Sequence, residues 1–326
     1  MADSYIDALI FEMKGFSGIE ADSVYIGGGT PTVLSEKQLE KIIASVCDNF
    51  KLEKNTEFTV ESNPATADVS KYRTLYDMGV NRLSIGVQSF DDNELKALSR
   101  VHSAKDAVKA VKNAEKAGFS NISIDLMEAI PHQTKESLLN NVDTALKLPL
   151  KHISCYSLIV EEGTPFYDNT PILPSEEEER EMHYAVCDKL ENNGFCHYEI
   201  SNFGKEGYQS RHNMKYWQRT PYYGFGAGAH SFYNETRFSN IRSVEDYIKA
   251  EDKVEEKIAI SETEAEYERF MLGFRILGGF DTRGSFPDKI KSLSEKGLIS
   301  FDGRCAKLTK RGEDLANQVF MEFLNE

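Results

Sequence analysis

Polar side chains recur where short apolar runs end in the first half of the chain. Glu61, Gln88 and Asp125 each follow a run rich in Val, Ile or Leu. One such residue is more often a helix cap or a buried hydrogen-bonding group than part of a site. Because the carboxyl ends of parallel strands meet at one edge, where (β/α) barrels hold their active sites, the repetition predicts that these three side chains face one cleft.

A glycine run, Gly-Gly-Gly-Thr-Pro at residues 27–31, follows the first of these apolar runs. Glycine lets a ligand approach the backbone closely and leaves N–H groups free to hold a carboxylate, an amino-acid moiety or a phosphate. A tight turn without a ligand explains a lone glycine triplet equally well. The run by itself leaves both interpretations open.

The five cysteines are too dispersed for a paired metal motif. No two of them lie within four residues of each other, so no Cys-x-x-Cys pair exists. An odd, dispersed set predicts buried free thiols. The five positions are Cys47, Cys155, Cys187, Cys196 and Cys305.

The elements that position the polar residues follow from an alternation of patterns. Short apolar runs alternate with helical spacing, and the runs lie at 24–26, 58–60, 83–85, 122–124 and 153–156. Helix starts lie between them, at a capping box of Ser35 with Gln38 and at the capping residues Asp68, Ser103 and Thr134. Strands alternating with helices predict βαβ units and a parallel sheet, either doubly wound or a barrel.

The start and the end of the chain differ from this alternation. An amphipathic helix opens the chain over residues 5–13, and no strand precedes it, so either the protein begins on a helix or a first strand is missing. The end, 287–323, has the pattern of a helix, a strand pair turning at Asp302-Gly303 and a final helix, which is winged-helix-like. We predict three segments, at 1–170, 171–260 and 261–326.

Charge and hydropathy exclude two classes of interaction. The 326 residues carry a net charge of −15, and Lys and Arg are scattered among more numerous acids, so we expect no nucleic-acid face. No apolar run is long enough to cross a bilayer, and the first residues lack the basic start of a secretory signal. We therefore expect a cytoplasmic protein.

Several motifs in order resemble the oxygen-independent coproporphyrinogen oxidase and HemW branch of the radical S-adenosylmethionine superfamily. They are the glycine run, Glu-Ser-Asn-Pro at 61–64, the segment 81–90, Ser-Arg-Val-His at 99–102 and Ile-Asp-Leu at 124–126. The resemblance covers nearly the whole chain. It implies an α/β fold, a partial (β/α)6 TIM-like barrel lacking its first strand, with a smaller C-terminal α+β domain.

The resemblance also implies that S-adenosylmethionine is bound at the strand ends. Its amino-acid end would lie at Gly28, Gly29 and Thr30. Its amino acid and ribose would be fixed by Glu61, Gln88, Arg100 and Asp125, and its adenine would lie near Ile159.

Two later segments narrow the resemblance to HemW, a haem-handling branch. They are Ser-Arg-His-Asn-Met-Lys-Tyr-Trp at 210–217 and Gly-Phe-Gly-Ala-Gly-Ala-His-Ser at 224–231. In that branch His-Asn-x-x-Tyr-Trp is associated with haem binding. His212 can ligate haem iron, and Tyr216 and Trp217 can stack on the macrocycle. The alternative is that His212 ties down a loop while Trp217 fills core space.

The sequence departs from the family pattern in two places. The family's Cys-x-x-x-Cys-x-x-Cys loop, whose three thiolates hold a [4Fe–4S] cluster with one iron open for S-adenosylmethionine, is absent. We therefore expect that this chain cannot bind the cluster in the family's way, and the opening helix without a strand agrees with truncation there. Relatives usually carry an aromatic and a glycine at Glu128 and Ala129, and the Ala129 side chain would hinder close approach of the cofactor.

Three functional hypotheses remain open at this point. The first is a haem-binding and transfer protein, whose partners are haem and an acceptor protein that is soluble or membrane-associated. The second is a coproporphyrinogen III oxidase-like enzyme that uses a deoxyadenosyl radical. The third is a chain that folds but does neither. The segment 212–217 favours the first hypothesis, and the absent cysteine motif weakens the second.

Overall fold

A computed structural model describes residues 1–324, which pack as two compact units. The sheet unit contains Ser23–Leu39 and Glu57–Ser210. The terminal unit contains Met1–Asp22, Glu40–Thr56 and the described chain from Arg211 onward. The boundaries predicted near residues 170 and 260 stay a prediction.

The first seven strands form one sheet. They are β1 (Glu20–Ile26), β2 (Lys51–Ser62), β3 (Arg82–Gln88), β4 (Ile122–Glu128), β5 (His152–Ser157), β6 (Cys196–Glu199) and β7 (Asn202–Gly204). Their order is β1-β2-β3-β4-β5-β7-β6, with parallel pairing from β2 to β5 and antiparallel pairing of β7 with β5 and β6. The five apolar runs lie in β1 to β5, so the predicted strands are confirmed.

The register of the parallel strands aligns polar residues across neighbouring strands. Glu61 on β2 lies opposite Ser84 on β3, and Asp125 on β4 lies opposite Ser154 on β5. Nearly every residue of β3 and β4 is buried. Burial of both faces of a strand is typical of parallel sheets that are covered on both sides.

Eight helices lie in the part of the chain up to Glu191, and four of them begin where the predicted capping residues indicate. They are α1 (Ala2–Lys14), α2 (Glu36–Asn49), α3 (Val69–Asp77), α4 (Asp92–Ala97), α5 (Ala104–Lys116), α6 (Lys135–Leu146), α7 (Pro165–Asp168) and α8 (Glu176–Glu191). Asp68 accepts from the N–H of Lys71, and Ser103 and Thr134 each form a capping box. The reciprocal bonds of Ser35 with Gln38 also form. The predicted helix starts are confirmed.

The terminal unit continues with short elements around an aromatic core. They are α9 (Arg211–Trp217), β8 (His230–Tyr233), β9 (Thr236–Asn240), α10 (Val244–Lys249), β10 (Val254–Ala259), α11 (Glu262–Gly273), β11 (Phe280–Asp281), α12 (Pro287–Glu295), β12 (Ile299–Phe301), β13 (Cys305–Leu308), α13 (Lys310–Asp314) and α14 (Ala316–Met321). Strands β8 to β10 form one sheet, and β11 to β13 form another. Phe270 stacks on Phe323 at 4.8 Å between ring centroids. The predicted strand pair around Asp302-Gly303 is present as β12 and β13.

None of the helices within residues 1–324 combines the length and the apolar character needed to cross a membrane.

Candidate functional site

The glycine turn after β1 has a backbone that requires glycine. Gly28 and Gly29 adopt φ of +83° and +157°, and a Cβ added at either would meet no atom within 4 Å. At Gly27 an added Cβ would lie 2.6 Å from Tyr25 Cε1 and 2.8 Å from the Glu61 carboxylate. The turn therefore packs tightly at Gly27 and leaves open space beside the next two residues. Thr30 follows as the residue before a short 3₁₀ turn, Pro31–Val33.

Two carboxylates at the ends of β2 and β4 form the centre of this region. The Tyr25 hydroxyl donates to Glu61 Oε1 at 2.6 Å. Burial raises the pKa of Tyr25, and the neighbouring charges of Glu61 and Asp125 raise it further. The phenol therefore stays protonated and remains a hydrogen-bond donor to Glu61.

The surroundings of Asp125 disfavour its charged form. Burial raises the pKa of Asp125 from 3.8 to about 6, and the charge of Glu61 adds to this rise. A hydrogen bond from Ser154, the charge of Arg82 and a hydrogen bond from Ser84 oppose it. Arg82 is only 2% exposed, so it places a positive charge within the interior beside these acids. A carboxyl group poised near neutral pH is characteristic of functional sites.

Gln88 and Arg100 form a second pair in the same region. Arg100 Nη2 donates to Gln88 Oε1 at 3.0 Å. Gln88 is 3% exposed and adopts φ of +70°, at a register shift between β3 and β4. Bulges and left-handed backbone of this kind occur next to binding sites, where they redirect a side chain.

Tyr156 connects this pair with the carboxylates. Burial and the charge of Asp125 raise the pKa of Tyr156 to about 12, while a hydrogen bond with Gln88 and the charge of Arg100 oppose the rise. The structure thus brings Glu61, Gln88, Arg100 and Asp125 into one connected set, which together with the glycine turn we call the strand-end site. Ile159, in the loop after β5, is 74% exposed.

Sequence reasoning missed three residues of the strand-end site, which are Tyr25, Arg82 and Tyr156. The two tyrosines stand inside apolar runs, at or near strand ends, and their hydroxyl groups were the available signal. Arg82 at the start of β3 gave no such signal, because an arginine next to a strand is usually exposed.

At the second departure from the family pattern, Ala129 adopts φ of +55° and is 4% exposed. The left-handed region favours glycine, and an alanine in this conformation costs roughly 1 kcal/mol.

The helix α9 carries the residues expected to bind haem. His212 Nε2 and the Tyr216 hydroxyl lie 3.0 Å apart, with their rings edge-to-face. Burial raises the pKa of Tyr216 to about 12, and Tyr222, whose ring centroid is 4.8 Å away, adds to it. The hydroxyl therefore keeps its proton and can donate to the imidazole. No side chain of α9 is fully buried.

Trp217 ends α9 and has one ring face occupied. The guanidinium carbon of Arg275 lies 4.2 Å from the centre of the indole ring. The indole Nε1 is buried and has no hydrogen-bond partner among the described residues. The ring itself is half-buried, so Trp217 is not a fully buried core residue.

Asp22 anchors the two basic residues of α9. Lys215 Nζ lies 2.8 Å and Arg211 Nη2 3.6 Å from Asp22 Oδ2. Burial would raise the pKa of Asp22, but the hydrogen bond and charge of Lys215 outweigh it and lower that pKa.

The cysteines only partly follow the sequence prediction. All five are free thiols, as expected, but Cys47, Cys196 and Cys305 are exposed, so the expectation of burial was wrong for these three. A small thiol imposes no apolar periodicity, and burial therefore depends on packing. Within residues 1–324 no three thiols come together, because the one group of three potential metal donors contains a single cysteine.

Comparison with known proteins reveals full-length relatives. The profile of the Radical SAM superfamily matches residues 5–145. A protein of Bacillus subtilis named heme chaperone HemW is 40% identical over 352 residues, covering 99% of this chain and 92% of the relative. A protein of Lactococcus lactis with the same name is 37% identical over 340 residues, covering 99% and 89%.

Among solved structures, coproporphyrinogen III oxidase (HemN) from Escherichia coli, described as a radical SAM enzyme, superimposes with a TM-score of 0.86. The identity is 20%, and the match covers 99% of this chain and 83% of that one. A likeness at this identity shows a shared fold. It confirms the predicted partial barrel of radical-SAM type with a smaller C-terminal domain.

Proposed function

This chain belongs to the HemW family of the radical S-adenosylmethionine superfamily, and we propose on that premise that it binds haem and transfers it to an acceptor protein. The relatives that cover its full length are named as haem chaperones. The observation that supports the proposal most directly is the arrangement of His212, Tyr216 and Trp217 on one short, half-exposed helix.

In this proposal His212 is the ligand of the haem iron. Its Nε2 atom lies 3.0 Å from the Tyr216 hydroxyl and can accept a hydrogen bond from it. Iron would take the place of that hydroxyl proton at the nitrogen lone pair. Tyr216 then acts as a positioning residue that holds the imidazole before haem arrives. Partial exposure leaves room for a flat macrocycle, which a buried histidine would not.

Trp217 would contribute apolar contact to the macrocycle. The Arg275 guanidinium covers one face of its indole, so stacking would have to use the other face or displace Arg275. A displaced or adjacent guanidinium suits the propionate groups of haem, because arginine binds carboxylates with two parallel hydrogen bonds.

Haemin titration tests this proposal. The parent protein should shift the Soret band and saturate with one equivalent, and His212→Ala should lower the affinity at least about tenfold, which corresponds to about 1.4 kcal/mol. His230→Ala, which removes an exposed histidine of β8, is the matched control and should bind like the parent. An unchanged Soret titration of a folded His212→Ala variant would contradict the ligand role.

We further propose that the strand-end site binds S-adenosylmethionine. The open space beside Gly28 and Gly29 can accept the amino-acid end. Glu61 and Asp125 can accept hydrogen bonds from the amino group and the ribose, and Arg100 can pair with the carboxylate. Ile159 offers an exposed apolar side chain to the adenine.

The [4Fe–4S] cluster of the superfamily does not fit the described residues, because they bring no three thiols together. No step of the proposed function therefore runs through a cluster. The likeness to coproporphyrinogen oxidase concerns the fold, and the enzyme alternative gains no support from the geometry of either site. The acceptor protein remains a partner of unspecified identity, and neither proposal calls for nucleic acid.

A further inference from the structure

A cluster of two histidines and one cysteine lies within the sheet unit, apart from the residues of both proposed sites. His183 and Cys187 are on α8, and His197 is on β6. Residues four apart lie on the same face of a helix, so α8 places its imidazole and its thiol side by side. One donor atom from each of the three residues lies within 4.8 Å of the other two.

Two of the three separations between donor atoms match those around a tetrahedral metal ion. Cys187 Sγ lies 3.4 Å from His183 Nε2 and 3.8 Å from His197 Nδ1. Zinc binds imidazole nitrogen at about 2.0–2.1 Å and thiolate sulfur at about 2.3 Å, so a tetrahedral angle separates the two donors by about 3.6 Å. The two measured distances bracket this value.

In each imidazole, the outer ring nitrogen, which is the one that does not face Cys187, already forms a hydrogen bond. His183 Nδ1 donates to Glu128 Oε1 at 2.8 Å, and His197 Nε2 donates to the carbonyl oxygen of Ile200 at 3.1 Å. A carboxylate or a backbone carbonyl on the outer ring nitrogen is the usual support of a metal-binding histidine, since it fixes the tautomer and raises the basicity of the ligand. Glu128 is 3% exposed, so the carboxylate that supports His183 is itself buried.

When both imidazoles are neutral, these outer bonds create a surplus of lone pairs at the centre of the cluster. If both outer nitrogens carry protons, His183 Nε2, His197 Nδ1 and Cys187 Sγ all present electron pairs to one another. A single thiol proton can satisfy only one of the two nitrogen–sulfur contacts. A cation bound by all three donors removes this conflict.

We propose that His183, Cys187 and His197 form a binding site for a zinc ion or a similar borderline-soft divalent metal. The thiol proton, together with any proton on His183 Nε2, leaves to solvent as the metal binds, so that a thiolate and two neutral imidazole nitrogens hold the ion. The described residues supply three donors, which leaves the fourth position to water or a small exogenous ligand. The His183 side chain is 24% exposed, which provides a route for the ion.

Binding would join α8 to β6 directly and to the end of β4 through Glu128. The buried thiol of Cys155 lies 3.6 Å from the other oxygen of Glu128, so the carboxylate is held on both sides. The site is independent of the haem proposal, because none of its residues belongs to α9.

The test is a metal titration of the full chain after dialysis against a chelator. Zn²⁺ competed against a chromophoric chelator should bind with one equivalent, and Co²⁺ should give the visible bands of a tetrahedral ion with thiolate charge transfer. Cys187→Ser should lower Zn²⁺ affinity at least about 100-fold and abolish the charge-transfer band. Cys196→Ser, which removes an exposed thiol next to His197 in the chain, is the matched control and should titrate like the parent.

Glu128→Gln provides a second variant that leaves all three donors in place. It should lower Zn²⁺ affinity about 10–100-fold, as loss of a supporting carboxylate does in other zinc sites. If Cys187→Ser fails to fold by circular dichroism, Glu128→Gln and His197→Asn decide the question.

The proposal fails if Co²⁺ gives no thiolate charge transfer, or if folded Cys187→Ser binds Zn²⁺ like the parent. It also fails if the parent binds no metal while Cys187 is alkylated rapidly by iodoacetamide, since the cluster would then be a His183–Cys187 imidazolium–thiolate pair.

Discussion

The strand-end site and helix α9 position their functional side chains in different ways. In the strand-end site the register of β2 to β5 sets which side chains meet, and Gln88 is almost completely buried. In α9 no side chain is fully buried, and His212 is oriented by a hydroxyl one turn away. The first arrangement favours a small ligand of fixed shape. The second leaves room for a large flat ligand at little cost in stability.

The two regions also differ in how they treat an acidic group. Burial raises the pKa of Asp125 to about 6, so the folded protein disfavours its charge. For Asp22, the hydrogen bond and the charge of Lys215 outweigh the effect of burial. They lower the pKa of Asp22, so the folded protein favours the charged form of this carboxyl group. Ionised Asp125 therefore lowers the stability of the folded protein, whereas the ion pairs between Asp22 and α9 add a little stability.

The largest effect should follow from removing the buried cation of the strand-end site. Arg82→Met should lower the free energy of unfolding by about 3–5 kcal/mol, because the neighbouring carboxylates lose the charge of a buried cation. Urea denaturation at pH 7 measures this. Arg73→Met, which changes an exposed arginine of α3, is the control and should cost less than about 1 kcal/mol. Equal losses in the free energy of unfolding for the two variants would show that Arg82 contributes no more to stability than an exposed arginine does.

Asp125→Asn should stabilise the protein at pH 8. The ordinary pKa is 3.8 and the folded one is about 6, so the cost of ionising Asp125 is absent below pH 3.8, grows between these values and is complete above pH 6. The gain should be about 1–3 kcal/mol at pH 8, since one pKa unit corresponds to about 1.4 kcal/mol and the side chain is partly exposed. Urea denaturation at pH 8 and pH 4 should show the gain only at the higher pH. A gain of the same size at both would exclude the charge as its cause.

Trp217→Ala should cost about 1–3 kcal/mol, less than the 3–5 kcal/mol typical of a fully buried aromatic side chain. The ring is half-buried, and its main described contact is the Arg275 guanidinium. Thermal denaturation of this variant and of Arg275→Met compares the two contributions, because the second change removes the cation and leaves the indole in place. A loss of more than about 5 kcal/mol in the free energy of unfolding would show that Trp217 is a core residue and not part of an adaptable binding helix.

The smallest effect should come from Asp22→Asn. Its side chain is 35% exposed, so loss of the ion pairs with Lys215 and Arg211 should cost less than about 1 kcal/mol at pH 7. Because the folded pKa is lowered, this contribution is present above pH 3.8 and disappears as the pH falls through the folded value. Denaturation in low and high salt should show the cost shrinking with ionic strength. A stabilising effect at pH 7 would contradict the contrast with Asp125.

The sequence by itself determined the elements and the ends of the sheet. Apolar runs located β1 to β5, capping residues located the helix starts, and polar residues after the runs located the strand-end site. Helix starts depend on interactions between residues at most four apart. The strands and the polar residues at their ends follow from the alternation of strands and helices in a parallel sheet. They can therefore be recognised in the sequence without knowledge of packing.

Only the tertiary structure decided which side chains meet across long separations. Glu128 meets His183 at a distance of 55 residues in the chain, Arg275 covers Trp217, and Arg82 is buried among acids. No periodicity marks such pairs, because each depends on how whole elements pack and on which charges that packing removes from water. The strand-end site could thus be outlined from the sequence. The histidine–cysteine cluster became visible only when α8 was packed against β4 and β6.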